Sequence, residues 1–279
     1  MQHHDGTLTG PRGSHLYYQY WLPDGAPKAV LLVVHGLGEH SGRYANLVNY
    51  FVPRGYAVYA LDHFGHGKSE GPREYVERFS DFTLPLKTYF DQVRGWQNGQ
   101  PIFLVGHSLG ALISANYLLE HQADFTGAVL SGPAVKVPDA TSPLLLASGR
   151  MLSALLPKLG VLPLDSSGVS RDPAVVRAYV DDPLVFTGKT SARLGAEMVA
   201  AIGRVRAGWG SITLPVLILQ GGADRIVDPA GAQQFYAAVT SPDKTLKVYP
   251  GLYHEVYNEP EHEQVLADVE AWLEAHISK

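Results

Sequence analysis

Pro101-Ile102-Phe103-Leu104-Val105-Gly106-His107-Ser108-Leu109-Gly110, continued by Ala111-Leu112-Ile113-Ser114-Ala115-Asn116-Tyr117-Leu118-Leu119-Glu120, is the stretch that decides the fold. Its first five residues read as a short buried strand and its last ten as a helix. Between them stands the pattern Gly-x-Ser-x-Gly. Strand, sharp turn and helix together are the setting of a nucleophile elbow. The turn forces Ser108 into a strained backbone conformation, and a side chain at 106 or 110 would collide with the neighbouring strand or helix. A chain with 29 glycines can produce such a pattern by chance. The flanking strand and helix therefore carry the reading, not the glycines alone.

A serine hydroxyl needs a base to take its proton, usually a histidine oriented by a carboxylate. In the α/β-hydrolase arrangement these follow in the order Ser, Asp/Glu, His. Pro215–Gln220 is a buried-strand pattern with Gly221-Gly222-Ala223-Asp224 directly after it, and Thr245–Tyr249 is another with Pro250-Gly251-Leu252-Tyr253-His254 after it. Asp224 and His254 thus fall just past the carboxyl ends of strands, the edge where open α/β sheets bind ligands. Asp228 is a second candidate acid, although Pro229 after it suits the start of a helix and makes a cap the simpler role. Twelve histidines make a lone histidine uninformative. His254 stands out by its place between the last strand and the last helix. His107 is expected to pack beneath the elbow, and His63, His66, His121, His262 and His276 to be structural or solvated.

Acyl transfer also needs donors for the developing oxyanion. The N–H of Leu109, next after the serine, is one candidate. Ala29–Val34 is an early strand followed by His35-Gly36-Leu37-Gly38. Its glycines let the backbone turn toward the serine, which makes Leu37 N–H the second candidate.

Composition narrows the choices. A net charge of −5 and no basic run argue against a nucleic-acid partner. The absence of cysteine removes disulfides, thiolate catalysis and cysteine-ligated metal, and fits a cytoplasmic setting. No apolar stretch of signal-peptide length opens the chain, and no run of about 18 apolar residues predicts a membrane span. Gly67-Lys68-Ser69 resembles the end of a P-loop, but Asp62 stands where its first glycine belongs. His254-Glu255 resembles the start of a zinc motif, but Asn258 stands where its second histidine belongs. No metal and no cofactor is expected.

Elsewhere strands and helices alternate. His15–Trp21, 29–34, Tyr56–Leu61 and Phe125–Ser131 read as strands, and Arg43–Pro53, Phe79–Trp96, Ala230–Val239 and Glu261–His276 as helices. This rhythm predicts a mostly parallel central sheet flanked by helices, the layout that an α/β-hydrolase fold would place around the elbow. Residues 135–207 break the rhythm with six prolines and an apolar helical pattern containing Leu144, Leu145, Leu146, Met151, Leu152, Leu155 and Leu156. The expected organisation is a core of 1–134 and 208–279 with an inserted helical cap at 135–207. The cap's apolar surface could line an acyl tunnel, touch a lipid surface, or simply pack inward.

His35-Gly36-Leu37-Gly38-Glu39-His40-Ser41-Gly42-Arg43-Tyr44 resembles the oxyanion-loop signature of the monoacylglycerol lipases. Asp62–Gly71, the elbow, Tyr179–Leu184, Leu219–Asp224 and Asp243–Tyr249 are similar to further segments of that family, in the right order along nearly the whole chain. The resemblance implies a capped serine hydrolase that cleaves monoacylglycerols to fatty acid and glycerol. It implies no cofactor, a lipid ester substrate and a peripheral habit at membranes through the cap. Carried over, Ser108, Asp224 and His254 are the triad, and Leu37 and Leu109 the oxyanion donors. Glu39 and Arg43 lie where the family shapes the glycerol end; an internal ion pair bracing the loop is the equal alternative. Tyr179 is a further candidate for that end. Ala111 replaces a glycine usual in the family, and Tyr257 stands where some members carry a second histidine near the glycerol. A general carboxylesterase or lysophospholipase of the same fold is the nearest rival, followed by an acyltransferase. A hydrolase-like binding protein is the non-enzyme alternative.

Overall fold

A computed structural model of the chain describes residues 1–139 and 141–277. The elements in order are β1 (Gln2–Thr9), β2 (His15–Leu22), β3 (Ala29–Val34), α1 (Ala45–Phe51), β4 (Tyr56–Leu61), α2 (Ser80–Trp96), β5 (Ile102–His107), α3 (Leu109–His121) and β6 (Gly127–Ser131). They continue with α4 (Pro143–Leu155), β7 (Gly160–Pro163), α5 (Pro173–Asp181), β8 (Lys189–Ser191), α6 (Ala192–Gly208), β9 (Val216–Gly221), α7 (Ala230–Ala238), β10 (Lys244–Tyr249) and α8 (His262–Ile277). One sheet carries the order β1-β2-β4-β3-β5-β6-β9-β10. From β4 to β10 its pairs are parallel; β1 and β2 join antiparallel at one edge.

Every residue of β3, β4, β5, β6 and β9 is buried, because parallel strands covered on both faces have no solvent side. Alternate residues feed two cores. Val30, Leu32, Leu104 and Ile218 face one side with Phe82, Tyr89, Leu112 and Ile113. Leu31, Val33, Phe103, Val105 and Leu219 face the other with Phe51, Val265, Val269 and Leu273.

The chain lays β4 on one side of β3 and β5 on the other. This reversal opens a crevice between the carboxyl ends of β3 and β5, the ligand-binding position of open α/β sheets. Val34 pairs with Gly106 there, so the loop after β3 and the turn after β5 start side by side.

Between β6 and β9 the chain leaves the sheet. Here β7 and β8 form a small antiparallel pair. α6 returns to the body, packing on α3 and placing Leu194, Ala201, Ile202 and Val205 in the main core. α4 does the opposite. Its Ser142 side chain caps the helix at the Leu145 amide, yet Leu144, Leu145, Met151 and Leu155 point outward, Leu144 being 80% exposed.

Arg43–Pro53 is helical as expected, built of α1 between short 3-10 turns at Ser41–Tyr44 and Val52–Arg54. The strand expected from Phe125 begins at Gly127. The polar stretch at Gln2–Thr9 is a full strand, where His3 stacks on Trp21 and His4 on Tyr20.

Candidate active site

Four strand ends converge on one edge of the sheet. The turn after β5 carries Ser108, whose backbone sits at φ 53° and ψ −118°, in the left-handed half where a residue with a side chain is strained. Its carbonyl accepts from the amides of Ala111 and Leu112, and its N–H donates to Ser131 at 2.9 Å. The glycines are needed for close approach: a Cβ on Gly110 would lie 1.9 Å from the Val34 carbonyl oxygen, and one on Gly106 2.5 Å from Ser114 Oγ. Ala111 is fully buried against this turn without disturbing it.

Asp224 follows β9 and His254 follows β10. His254 Nδ1 lies 2.8 Å from Asp224 Oδ2. Asp224 Oδ1 accepts from the amides of Ile226 at 2.8 Å and Val227 at 3.0 Å, and Oδ2 also accepts from the Gln220 side chain at 3.0 Å. Burial alone would push this carboxyl up, but the charge and hydrogen bond of His254 and the two amides hold it below the usual aspartate range. An ionised acceptor at Oδ2 puts the imidazole proton on Nδ1 and leaves Nε2 free to act as a base. Asp228 is elsewhere: it caps α7 through the Ala230 amide at 2.9 Å and meets Lys136.

The loop after β3 is held by buried histidines. His63 N–H donates to His35 Nε2 at 2.9 Å, so His35 Nδ1–H donates to the Gly36 carbonyl at 2.8 Å. Burial, with the neighbouring His63 and His66, keeps the His35 pKa well below the usual range, and His63 is lowered to about 3. Both rings stay neutral and serve as fixed struts. Gly38, at φ 71°, accepts from the Phe186 amide at 2.8 Å. Among the described residues no acceptor engages the N–H of Leu37 or of Leu109. Leu109 opens α3, so its amide also carries the positive end of the helix dipole.

Ser108, His254, Leu37, Leu109, Glu39 and Tyr179 line one cavity of about 130 Å³. The rest of its wall is largely apolar, from Ala134, Leu162, Leu164, Val169, Met198, Ile226 and Val227. Tyr179 is 2% exposed, and its hydroxyl has no partner among the described residues. Burial and the nearby Glu39 and Glu255 push its pKa up, so it remains a donor. Arg43 lies behind this wall, pairing with Glu39 and Glu255 and stacking at 4.5 Å on the Tyr179 ring. His107 is buried beside the elbow and also lines the cavity, 2.8 Å from Ser131 Oγ and with its ring centroid 4.7 Å from that of His254. Burial and the proximity of His254 lower it to about 3. Tyr257 is buried beside Arg43 and Glu255 in a separate small cavity, away from Ser108. Among the described residues no group of three His, Asp or Glu side chains converges to hold a metal ion.

One residue here was not anticipated. Glu255 lines the cavity and accepts from Arg43 Nη1 and Nη2. Its one signal in the sequence is its place directly after His254, in a pair that resembles the start of a zinc motif.

Comparison with known proteins agrees with this fold. Residues 25–261 match the family described as serine aminopeptidase, S33. The chain is 38% identical to the monoacylglycerol lipase of Mycolicibacterium smegmatis, over 97% of each chain. It is 37% identical to the human monoglyceride lipase, over 95% of this chain and 89% of that protein. Among solved structures, the monoacylglycerol lipase of Paleococcus ferrophilus superposes with a TM-score of 0.84 at 32% identity, covering 94% of this chain and 99% of that one.

Proposed function

This chain belongs to the monoacylglycerol lipase family of α/β-hydrolases, and from that premise we propose that it hydrolyses monoacylglycerols with Ser108, His254 and Asp224. His254 takes the Ser108 proton as the hydroxyl attacks the ester carbonyl. Asp224 holds the tautomer and stabilises the imidazolium. The Leu37 and Leu109 amides receive the oxyanion, each contributing about 3 kcal/mol. His254 then protonates the leaving glycerol oxygen, and water releases the fatty acid by the reverse roles.

The observation that supports the substrate is the cavity's mixed lining: Glu39, Tyr179, Glu255 and His107 share it with Ser108 and His254, and nine apolar side chains, those of Leu37, Leu109 and the seven from Ala134 to Val227, make up most of the rest. An ester with one acyl chain and one small polar head suits such a lining. The family description names an aminopeptidase, which would need a free carboxylate for the substrate's ammonium group. The two carboxylates lining this cavity, Glu39 and Glu255, are both engaged by Arg43, so neither is left without a partner for an ammonium group. The test is turnover of a medium-chain monoacylglycerol beside matched di- and triacylglycerol, lysophospholipid and simple ester. A monoacylglycerol preference of tenfold or more is expected. High simple-ester turnover with no glyceride preference would return the general-esterase reading, and acyl transfer to added glycerol in place of hydrolysis the acyltransferase one.

We further propose that 135–207 is the cap and that α4 is its membrane-facing part. Leu162 lines the cavity yet is 55% exposed, and the α4 residues Leu144, Met151 and Leu155 are exposed as well. Among the described residues no helix is long and apolar enough to cross a membrane, so the contact would be peripheral. Replacing Leu144, Met151 and Leu155 by serine is expected to weaken vesicle binding about tenfold or more, since each buried side chain is worth roughly 1.5–3 kcal/mol. Turnover of a soluble short-chain ester should stay within twofold. Unchanged flotation with vesicles would remove the membrane role.

A further inference from the structure

We propose that Glu255 is a positioning residue that ties the loop of the catalytic histidine to the oxyanion loop through Arg43 and Glu39. The proposal rests on the roles just given to Ser108, His254 and Leu37. Glu255 follows His254 directly, and its carboxylate accepts from Arg43 at 2.5 and 2.8 Å. Arg43 also donates to Glu39 Oε2 at 3.0 Å. Glu39 Oε1 accepts from the Gly36 N–H at 2.6 Å and from the Tyr44 hydroxyl at 2.9 Å. Gly36 is one residue before the Leu37 donor, and a Cβ on it would lie 3.3 Å from the Ser108 Cβ. Three bonded steps therefore run from the residue beside the base to the backbone beside the nucleophile.

Stability does not explain the second carboxylate. Glu39 is 4% exposed, Glu255 5%, and the Arg43 side chain 10%. One carboxylate neutralises one guanidinium, and a second leaves net negative charge in a poorly solvated place, where buried ions already cost more than their pairing returns. The two carboxylates respond in opposite directions. Burial, with Glu255 nearby, pushes the Glu39 pKa up; Glu255, which burial alone would also raise, is held low by Arg43. A costly arrangement of this kind belongs where geometry must be tight. An oxyanion donor displaced by about 1 Å loses much of its effect. Glu39 fixes the His35–Gly36 peptide plane, one plane before the one that carries the Leu37 N–H, Arg43 fixes Glu39, and Glu255 anchors Arg43 from the side of the base.

Glu255→Gln keeps the volume and removes the charge. Rates are taken on a soluble short-chain ester and divided by active sites titrated with a fluorophosphonate. The expected loss in kcat is about 10- to 30-fold, below the roughly 100- to 1000-fold of deleting a donor outright, with KM changed less than threefold. The inhibition constant of a trifluoromethyl ketone, whose tetrahedral adduct needs the oxyanion donors, should rise by the factor that kcat/KM falls. Glu39→Gln should give a similar loss, and the double variant no more than the larger single loss, because both act along one path. A merely structural Glu255 would lower the melting temperature or the titratable fraction but leave per-site kcat and ketone inhibition within twofold. That result, or losses that multiply in the double variant, overturns the tie. Should Glu255→Gln yield no titratable sites, Glu255→Asp keeps the charge and shortens the reach, and unchanged kcat there overturns it equally. Wild-type protein with no Ser108-dependent turnover would instead overturn the underlying reading.

Discussion

Ser108→Ala is expected to lower kcat on any ester by about a million-fold, leaving the residual 10³- to 10⁴-fold over water that binding and oxyanion donors supply without a nucleophile. The fold should survive. The hydrogen bonds that set the turn run through the Ser108 backbone, to Ser131, Ala111 and Leu112, and alanine keeps all of them. The backbone strain also stays, because alanine at φ 53° is as unfavourable as serine. Ser108→Gly separates strain from chemistry. A residue held in such a region costs of order 1–3 kcal/mol, while glycine loses about 0.5–1 kcal/mol in chain entropy. Relief wins, so Ser108→Gly should be about 1 kcal/mol more stable than Ser108→Ala in urea unfolding, and equally inactive. Activity of the alanine variant within a hundredfold of wild type would remove Ser108 from the mechanism. Equal stability of the two variants would mean that the elbow stores no strain.

Legibility followed burial. Strands such as Ala29–Val34 and the Ile102–Val105 part of β5 could be read as uninterrupted apolar runs because both faces of the sheet are covered. β1 could not: seven of its eight residues are not buried, and its pairing partner β2 carries the apolar signal. β7 and β8 are four and three residues long, too short for any periodicity to register. In the site, Ser108, Asp224 and His254 were legible because each follows a strand in the order the fold requires. Leu37 and Leu109 were legible as loop positions, since an amide donor does not depend on its side chain. Glu255 was not legible as Arg43's partner. The two are 212 residues apart, and a carboxylate after a histidine has no local pattern to mark it. The choice between a glycerol contact and an internal ion pair for Glu39 and Arg43 was likewise open in sequence. Both residues take part in the ion pair, and Glu39 also lines the cavity while Arg43 stands behind its wall.

Asp224→Asn should lower kcat about 10⁴-fold while leaving the protein folded, the size expected when a catalytic histidine is held in the wrong tautomer. The surroundings dictate which way the amide would sit. Asp224 Oδ1 accepts from two backbone amides, Ile226 and Val227, and only the carbonyl oxygen of asparagine can replace it. The NH₂ group must then face His254 Nδ1, where it can only donate. Nδ1 becomes an acceptor, the proton moves to Nε2, and the ring can no longer take the Ser108 proton. The variant should therefore bind substrate with KM near wild type and fail in chemistry. Acid behaviour gives a second reading. The Asp224 carboxyl sits below its unfolded value, so its contribution to stability is present above that value and fades as pH falls through the folded one. Asparagine has no such contribution to lose. Urea midpoints should therefore fall less between about pH 6 and pH 3 in the variant than in wild type. A variant with more than a tenth of wild-type kcat would show that the tautomer is set by something other than Asp224, and an unchanged acid slope would show that this carboxyl does not stabilise the fold.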